Sequence, residues 1–341
     1  MNISDFDYFL PENLIAQDPL EKRDESRLMI MNRTTGRLEH KHFRDIIDYL
    51  NPSDVLILND SKVIPARIYG KRHGSGGVIE TLLLKDIGND EWEVLVKPGR
   101  KALVGQVIDY GTSLTGTVIK ITRDGNRIIK FSYDAVSIYP ILDEIGNMPI
   151  PPYIKKKLVD KNRYQTVYAK NIGTAAAPTA GLHFTRELLS ALKEKGVIVK
   201  YVTLHVGLGT FRPVKVKDIT QHIMHSEHYY VPDDTAKEIK KAKQEGRRVV
   251  CVGTTSMRTV ESAFDEHADL ISSSADTSIF IYPGYKFKIA DALITNFHLP
   301  QSTLLMLVSA FSSRDMIMNA YKTAIEKQYR FFSFGDAMFL N

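Results

Sequence analysis

A histidine and a carboxylate two residues apart on an extended chain form a simple acid–base device. The segment Gln221-His222-Ile223-Met224-His225-Ser226-Glu227-His228 carries one. Tyr229-Tyr230-Val231 and Pro232 argue for extended backbone, in which His225 and Glu227 share one face while His222 and His228 share the other. A carboxylate beside an imidazole orients and charges it, which suits proton transfer near neutral pH. On a helix the three histidines would instead face one way and suggest a metal site, and solvated surface histidines are the plain alternative.

Gly253-Thr254-Thr255-Ser256-Met257-Arg258 follows an apolar run and opens a helix. The free backbone N–H groups of such a terminus, two threonine hydroxyls and Arg258 could hold a carboxylate or phosphate; a helix cap with a surface arginine reads equally well. In His205-Val206-Gly207-Leu208-Gly209 the two glycines let backbone approach a ligand. Arg212 stands where a dinucleotide fingerprint wants its third glycine, so a tight turn is the competing reading. Thr179-Ala180-Gly181-Leu182-His183-Phe184, after Ala175-Ala176-Ala177-Pro178, is poor in large side chains and suits backbone wrapped around a planar ligand, or a tightly packed loop. Asn296-Phe297-His298-Leu299-Pro300, with His298 at a strand end, has the same double reading. Basic residues gather in Lys155, Lys156, Lys157 and on to Arg163, between Tyr153 and Tyr164; they could track a phosphate backbone or form a solvated face. There is no GxxxxGK[ST] loop, HExxH or GxSxG word.

These residues need elements to position them. Leu28–Met31, a helical pattern over Phe43, Ile46, Ile47 and Leu50, and Val55–Leu58 predict strand, helix, strand. From Val78 to Tyr133 short strands follow one another across Gly- or Asn/Asp-bearing turns, which predicts a barrel or sandwich. Asn147-Met148-Pro149-Ile150-Pro151-Pro152 closes that section as a stiff linker. α/β alternation then resumes: a helix from Thr185 to Lys195, a strand from Val197 to His205, a helix from Asp233 to Glu245, a strand from Arg248 to Val252, a strand from Asp291 to Asn296, and helices capped by Ser302 and spanning Asp315–Gln328. The expected architecture is a mixed α/β sandwich-type domain made by both chain ends, residues 1–67 and 153–341, with a small β-barrel domain, residues 68–152, inserted in it.

At 341 residues two domains are expected, and 43% hydrophobic with 25% charged residues describes a folded, enzyme-sized chain. A formal charge of +5 leans towards anionic partners without requiring them. The single cysteine, Cys251, lies in an apolar strand, which excludes an internal disulfide or a cysteine-built cluster and predicts a core residue. The acidic start and the short longest apolar window, Leu304–Phe311, predict a soluble, cytoplasmic protein.

Longer words carry a resemblance. Tyr164-Gln165-Thr166-Val167-Tyr168, Ala176-Ala177-Pro178-Thr179-Ala180-Gly181-Leu182-His183-Phe184, Met224-His225-Ser226-Glu227, Val252-Gly253-Thr254-Thr255-Ser256, Ile281-Tyr282-Pro283-Gly284, Leu293–Pro300 and Tyr329–Met338 closely resemble the S-adenosylmethionine:tRNA ribosyltransferase-isomerases of queuosine biosynthesis. The likeness spans nearly the whole chain and thins in the barrel, where it is mostly Pro65-Ala66-Arg67; Gly173-Thr174-Ala175 departs conservatively from the family's Gly-Ser-Val or Gly-Ala-Val. It implies transfer of the S-adenosylmethionine ribosyl group to 7-aminomethyl-7-deazaguanine at the tRNA wobble position, giving epoxyqueuosine, adenine and methionine, by a monomer with no metal or permanently bound cofactor. That chemistry needs a base of near-neutral pKa: His225 oriented by Glu227, or His183, with His205 and His298 behind. Asp60 or Asp336 would hold the aminomethyl group. Thr254, Thr255 and Arg258 would take the methionine carboxylate, with Thr179, Gly181, Gly207, Gly209 and Asn296 around the remainder, and Lys155, Lys156, Lys157 and Arg163 on the tRNA. The competing classes are an S-adenosylmethionine-dependent tRNA methyltransferase, whose Gly-x-Gly-x-Gly word is missing, and a non-catalytic tRNA-binding module.

Overall fold

The computed structural model describes all residues except 112, 157, 159, 208–213, 215, 266–268 and 271–272. Its strands begin with β1 (Arg27–Met31), β2 (Leu38–His42), β3 (Val55–Asn59) and β4 (Ser61–Val63). Six more follow in close succession: β5 (Arg67–Arg72), β6 (Val78–Gly88), β7 (Glu91–Lys97), β8 (Val107–Gly111), β9 (Leu114–Ile121) and β10 (Arg127–Ser132). After α1 (Tyr139–Ile145) come β11 (Asn171–Thr174), α2 (Arg186–Glu194), β12 (Ile198–Leu204), β13 (Glu227–Val231), α3 (Asp233–Gln244), β14 (Val249–Val252) and α4 (Gly253–Ser262). The chain ends with β15 (Phe264–Asp265), β16 (Asp269–Leu270), β17 (Ser273–Thr277), β18 (Ala292–Asn296), α5 (Thr303–Phe311), α6 (Arg314–Glu326) and β19 (Ala337–Leu340).

Nine strands form one mixed sheet in the order β17-β13-β12-β3-β14-β18-β19-β1-β2, and β12, β3, β14 and β18 run parallel at its centre. Of these, β3, β14 and β18 are buried from end to end, which explains their continuous apolar sequences: both faces are covered. The period of two decides which face each side chain serves. Val55, Ile57, Val249, Cys251 and Leu293 enter the core shared with α3, α4, α5 and α6. Leu56, Leu58, Val250, Val252 and Ile294 enter the opposite core, with Phe43, Phe184 and α2. Cys251 is buried in the first of these cores, as its apolar neighbours predict.

Strands β10-β7-β6-β5-β8-β9 close into an antiparallel barrel with its own core, over which Ile141 and Leu142 of α1 pack. The mixed α/β class with an added barrel is therefore as expected. Several elements differ from the sequence reading. The predicted helix at 43–50 is a 3-10 helix, Phe43–Tyr49, which ends before Asn51-Pro52. β2 was not anticipated, because Leu-Glu-His-Lys-His is a polar, largely exposed edge strand with no alternation to read. Likewise β5, which carries Gly70, and the seven-residue α1, with Pro140 in its first turn, are too short to impose a readable period. Among the described residues no helix is long and apolar enough to cross a membrane.

Candidate active site

Parallel neighbours deliver their carboxyl ends to one edge of a sheet, and in α/β sheets ligands bind at that edge. Asp60 follows β3, His205 follows β12, Gly253 follows β14, and Phe297-His298 follow β18. Four of the sequence-selected segments are thereby brought to a single edge, although not into a single cavity.

The cavity on this edge, about 710 Å3 including its open mouth, is lined by Thr254 and Thr255 of α4, by Asn296 and His298, and by Thr179 with the small residues Ala176, Ala177 and Pro178. Gly253 has φ +85°, the left-handed conformation that turns β14 directly into α4 and aims the helix N-terminus into this space. The Thr255 hydroxyl is buried without a partner at that terminus. Removing it in Thr255→Val, with little change of shape, is expected to raise KM for an anionic substrate about 10-fold at unchanged stability, since a hydrogen bond to a charged group is worth about 1.5–3 kcal/mol; steady-state kinetics check this.

His298 is held on both sides of its backbone: its carbonyl accepts from the Tyr8 hydroxyl, and its N–H lies 2.9 Å from the Tyr321 hydroxyl. Its Nε2 is 2.8 Å from Thr295 Oγ1. Burial alone pushes its pKa down to about 3, so the imidazole in the cleft is neutral.

A second cluster adjoins the first through α4. His225 Nε2 lies 3.0 Å from Glu227 Oε1, as the extended reading predicts. The same oxygen accepts the Gly207 N–H at 3.1 Å, and Oε2 accepts from Arg258 Nη1. Burial would raise the Glu227 pKa, but Arg258 and His225 outweigh it and hold the carboxyl down to about 2. Arg258, one turn after Thr254, faces this carboxylate and does not line the cleft: its guanidinium keeps Glu227 ionised, and Glu227 aligns His225, whose side chain is 28% exposed.

The other selected residues separate by environment. The His183 imidazole is buried, 2.7 Å from Ser26 Oγ and 3.1 Å from Asn296 Nδ2, and stacks on Phe43 with ring centroids 4.8 Å apart. Burial, then Arg330 and Arg23, push its pKa down to about 3. His205, over Gly173, is pushed down to about 4 by burial and His228. Asp60 accepts from Asn171 Nδ2 at 3.0 Å and Thr203 Oγ1 at 2.7 Å and lines a separate groove with Tyr168, Tyr201 and Tyr230. The Asp336 carboxylate accepts the backbone N–H groups of Arg27 (2.9 Å) and Arg330 (2.8 Å), fastening the turn between them, with its pKa raised by burial. Gly181 leaves room for the Tyr168 hydroxyl and does not line the cleft. Gly209 and Lys157 lie outside the described residues. Lys155 and Lys156 are exposed and face Glu12 and Asp18, while the Arg163 guanidinium donates to the carbonyls of Leu20 and Glu21. Tyr153, Phe332 and Ser333 also line the cleft, with Tyr153 Oη 2.7 Å from Ser333 Oγ; the sequence marks Tyr153 only as an aromatic flanking the basic segment.

Buried neutral histidines make stability depend on pH. With folded pKa values near 3 and 4 against about 6.5 unfolded, His183, His298 and His205 contribute stability that is complete above about pH 6.5 and is lost as pH falls towards their folded values. Glu227 adds a loss below about 4.5. The unfolding free energy from urea titration is expected to fall between pH 6.5 and 5, by up to about 1.4 kcal/mol per pH unit for each histidine, and His183→Gln is expected to flatten that slope.

The sequence matches the family described as queuosine biosynthesis protein over residues 3–340. It is 58% identical over 341 residues, all of both chains, to the S-adenosylmethionine:tRNA ribosyltransferase-isomerase of Clostridioides difficile (strain 630). The solved structure of the S-adenosylmethionine tRNA ribosyltransferase of Thermotoga maritima is 41% identical, with 99% of this chain and 100% of that one covered and a TM-score of 0.58. With a matching family, a full-length relative and a solved neighbour in agreement, the chain belongs to the queuosine-biosynthesis family of S-adenosylmethionine:tRNA ribosyltransferase-isomerases.

Proposed function

We propose that this chain transfers the ribosyl group of S-adenosylmethionine to 7-aminomethyl-7-deazaguanine in the wobble position of a tRNA and isomerises it to the epoxycyclopentane of epoxyqueuosine, releasing adenine and methionine. The observation that carries this reading is the joining of two devices by one helix: the first turn of α4 offers N–H groups and Thr255 to a carboxylate, and Arg258 one turn on fixes the Glu227–His225 pair. The sulfonium acidifies the ribose C5′ proton, which His225 takes as general base, the imidazolium being stabilised by Glu227. Loss of that proton breaks C4′–O4′ to a C4′=C5′ vinyl sulfonium, and the freed oxygen becomes the C1′ aldehyde as adenine leaves beside the neutral His298 and takes up a proton. The aminomethyl nitrogen bonds to C4′ and gives up its proton, the C5′ ylide so formed closes on C1′, and the C1′ alkoxide displaces methionine from C5′ to make the epoxide. No step of this reading calls for a metal or a resident cofactor.

In this reading residues 68–152 form an inserted barrel domain, and the tRNA lies along Lys155 and Lys156 at the join. Exposed pairs such as Lys156–Asp18 are worth little and are readily exchanged for phosphates. Replacing both lysines by alanine is expected to weaken tRNA binding and to reduce the slope of log K against log salt by about one to two, with kcat unchanged, in a filter-binding titration.

The test of the reaction is mass spectrometry of products after mixing protein, S-adenosylmethionine and a tRNA carrying 7-aminomethyl-7-deazaguanine. Adenine, methionine and an epoxyqueuosine nucleoside together support it. S-adenosylhomocysteine points to methyl transfer, and an untouched cofactor with bound tRNA points to a binding module.

A further inference from the structure

The Asn296 side chain is 2% exposed at the end of β18 and belongs to the wall of the cleft. Its Nδ2 faces three groups: His183 Nε2 at 3.1 Å, the Phe332 carbonyl at 3.2 Å and the Asp336 carbonyl at 3.4 Å. Two of these can only accept, so the amide must turn its N–H2 towards them, and the alternative flip would set oxygen against oxygen. His183 completes the lock. Its Nε2 accepts from Asn296, so Nδ1 carries the proton and donates to Ser26 Oγ, and that hydroxyl in turn donates to the Arg23 carbonyl at 3.2 Å. One Nδ2 hydrogen goes to His183 and the other is shared between the two carbonyls, and Asn296 Oδ1 is left buried with no partner in the protein. On the wall of a cleft, a buried acceptor without a protein donor is a place where a ligand donor can bind.

We propose that Asn296 Oδ1 is the specificity element for the adenine of S-adenosylmethionine, accepting a hydrogen bond from its exocyclic 6-amino group, and that His183 is the positioning residue that fixes the amide for this role. The inference rests on the cleft being the S-adenosylmethionine site. Two features select the adenine amine over the α-ammonium, the other donor the molecule carries. The rings of Tyr153 and Phe332, centroids 4.8 Å apart, stand on the cleft wall beside Asn296 and offer apolar surface to a flat base. Arg330 and Arg23 place positive potential on His183, directly behind Asn296, which disfavours a cation there and leaves a neutral N–H as the matching donor.

Equilibrium calorimetry with S-adenosylmethionine and its analogue bearing hydrogen in place of the 6-amino group tests this without requiring turnover. The wild-type protein is expected to bind S-adenosylmethionine at least 10-fold more tightly than the analogue, because the analogue leaves the buried acceptor unpaired. Asn296→Ala is expected to bind the two within about threefold of each other. His183→Phe, which keeps the ring but cannot accept from the amide, is expected to lose most of the discrimination, and His183→Gln to retain it. Equal binding of both compounds by the wild-type protein, or undiminished discrimination by Asn296→Ala, overturns the specificity assignment while leaving the reaction intact. Undiminished discrimination by His183→Phe overturns the positioning role. Absence of S-adenosylmethionine binding altogether removes the underlying site assignment as well.

Discussion

His225→Ala is expected to lower kcat by about 10²–10⁴-fold, the usual contribution of a positioned acid–base group, while S-adenosylmethionine binding changes little. The reasoning runs through the partner. Glu227 is almost wholly buried, yet it stays ionised because Arg258 meets one oxygen and His225 and the Gly207 N–H meet the other. His225 reaches solvent with the Glu227 carboxylate 3.0 Å away to orient it, whereas the buried His183 and His298 are held neutral. Glu227→Gln leaves the Arg258 guanidinium buried and unpaired, so it is expected to lose both activity and about 3–5 kcal/mol of stability. Comparing the two variants by rapid-quench kinetics and urea unfolding separates proton transfer from scaffolding: His225→Ala should lose rate alone. Near-normal turnover by His225→Ala removes it as the base.

Gly335→Ala is expected to destabilise the protein by about 3 kcal/mol or to prevent folding, the upper range for overpacking. A Cβ there would fall 2.5 Å from the Arg330 carbonyl oxygen, 2.6 Å from the Phe331 carbonyl carbon and 2.7 Å from the Arg330 carbonyl carbon, all backbone atoms that cannot swing aside. The turn they form is fastened by the Asp336 carboxylate on the N–H groups of Arg27 and Arg330, so the strain has nowhere to relax. Because Phe332 and Ser333 of this turn line the cleft, S-adenosylmethionine affinity is expected to fall with stability. A shifted urea midpoint with weaker binding is the expected pair of results, and an unchanged midpoint contradicts the packing account.

The strands whose residues serve both sheet faces were legible because continuous apolar runs such as Val55–Leu58 have few other homes, and α3 and α4 because a cap or glycine follows or precedes a clear period. β2 was not, since an exposed edge strand buries too little to impose a pattern. In the site, the strand-to-helix junction at Gly253 and the His225–Glu227 pair could be read because each is local in sequence. Arg258 was selected to hold a ligand carboxylate or phosphate, with a surface arginine as the alternative; it is buried and meets the carboxylate of Glu227, 31 residues away, a pairing no local pattern marks. The same limit hid the locking of Asn296 by His183, 113 residues apart, and the pinning of the His298 carbonyl by Tyr8 across 290 residues. Asp60 and Asp336 illustrate the converse: residue type suggested chemistry, while their hydrogen bonds tie down Asn171 and Thr203 in one case and a backbone turn in the other.

The most direct measurement is a crystal structure of the protein with S-adenosylmethionine bound. The account predicts the methionine carboxylate at the first turn of α4 beside Thr255, the adenine against Phe332 with its amino group on Asn296, and the ribose turned towards His225. Density for the ligand in the groove of Asp60, Tyr168 and Tyr201, with the α4 cleft empty, would contradict it.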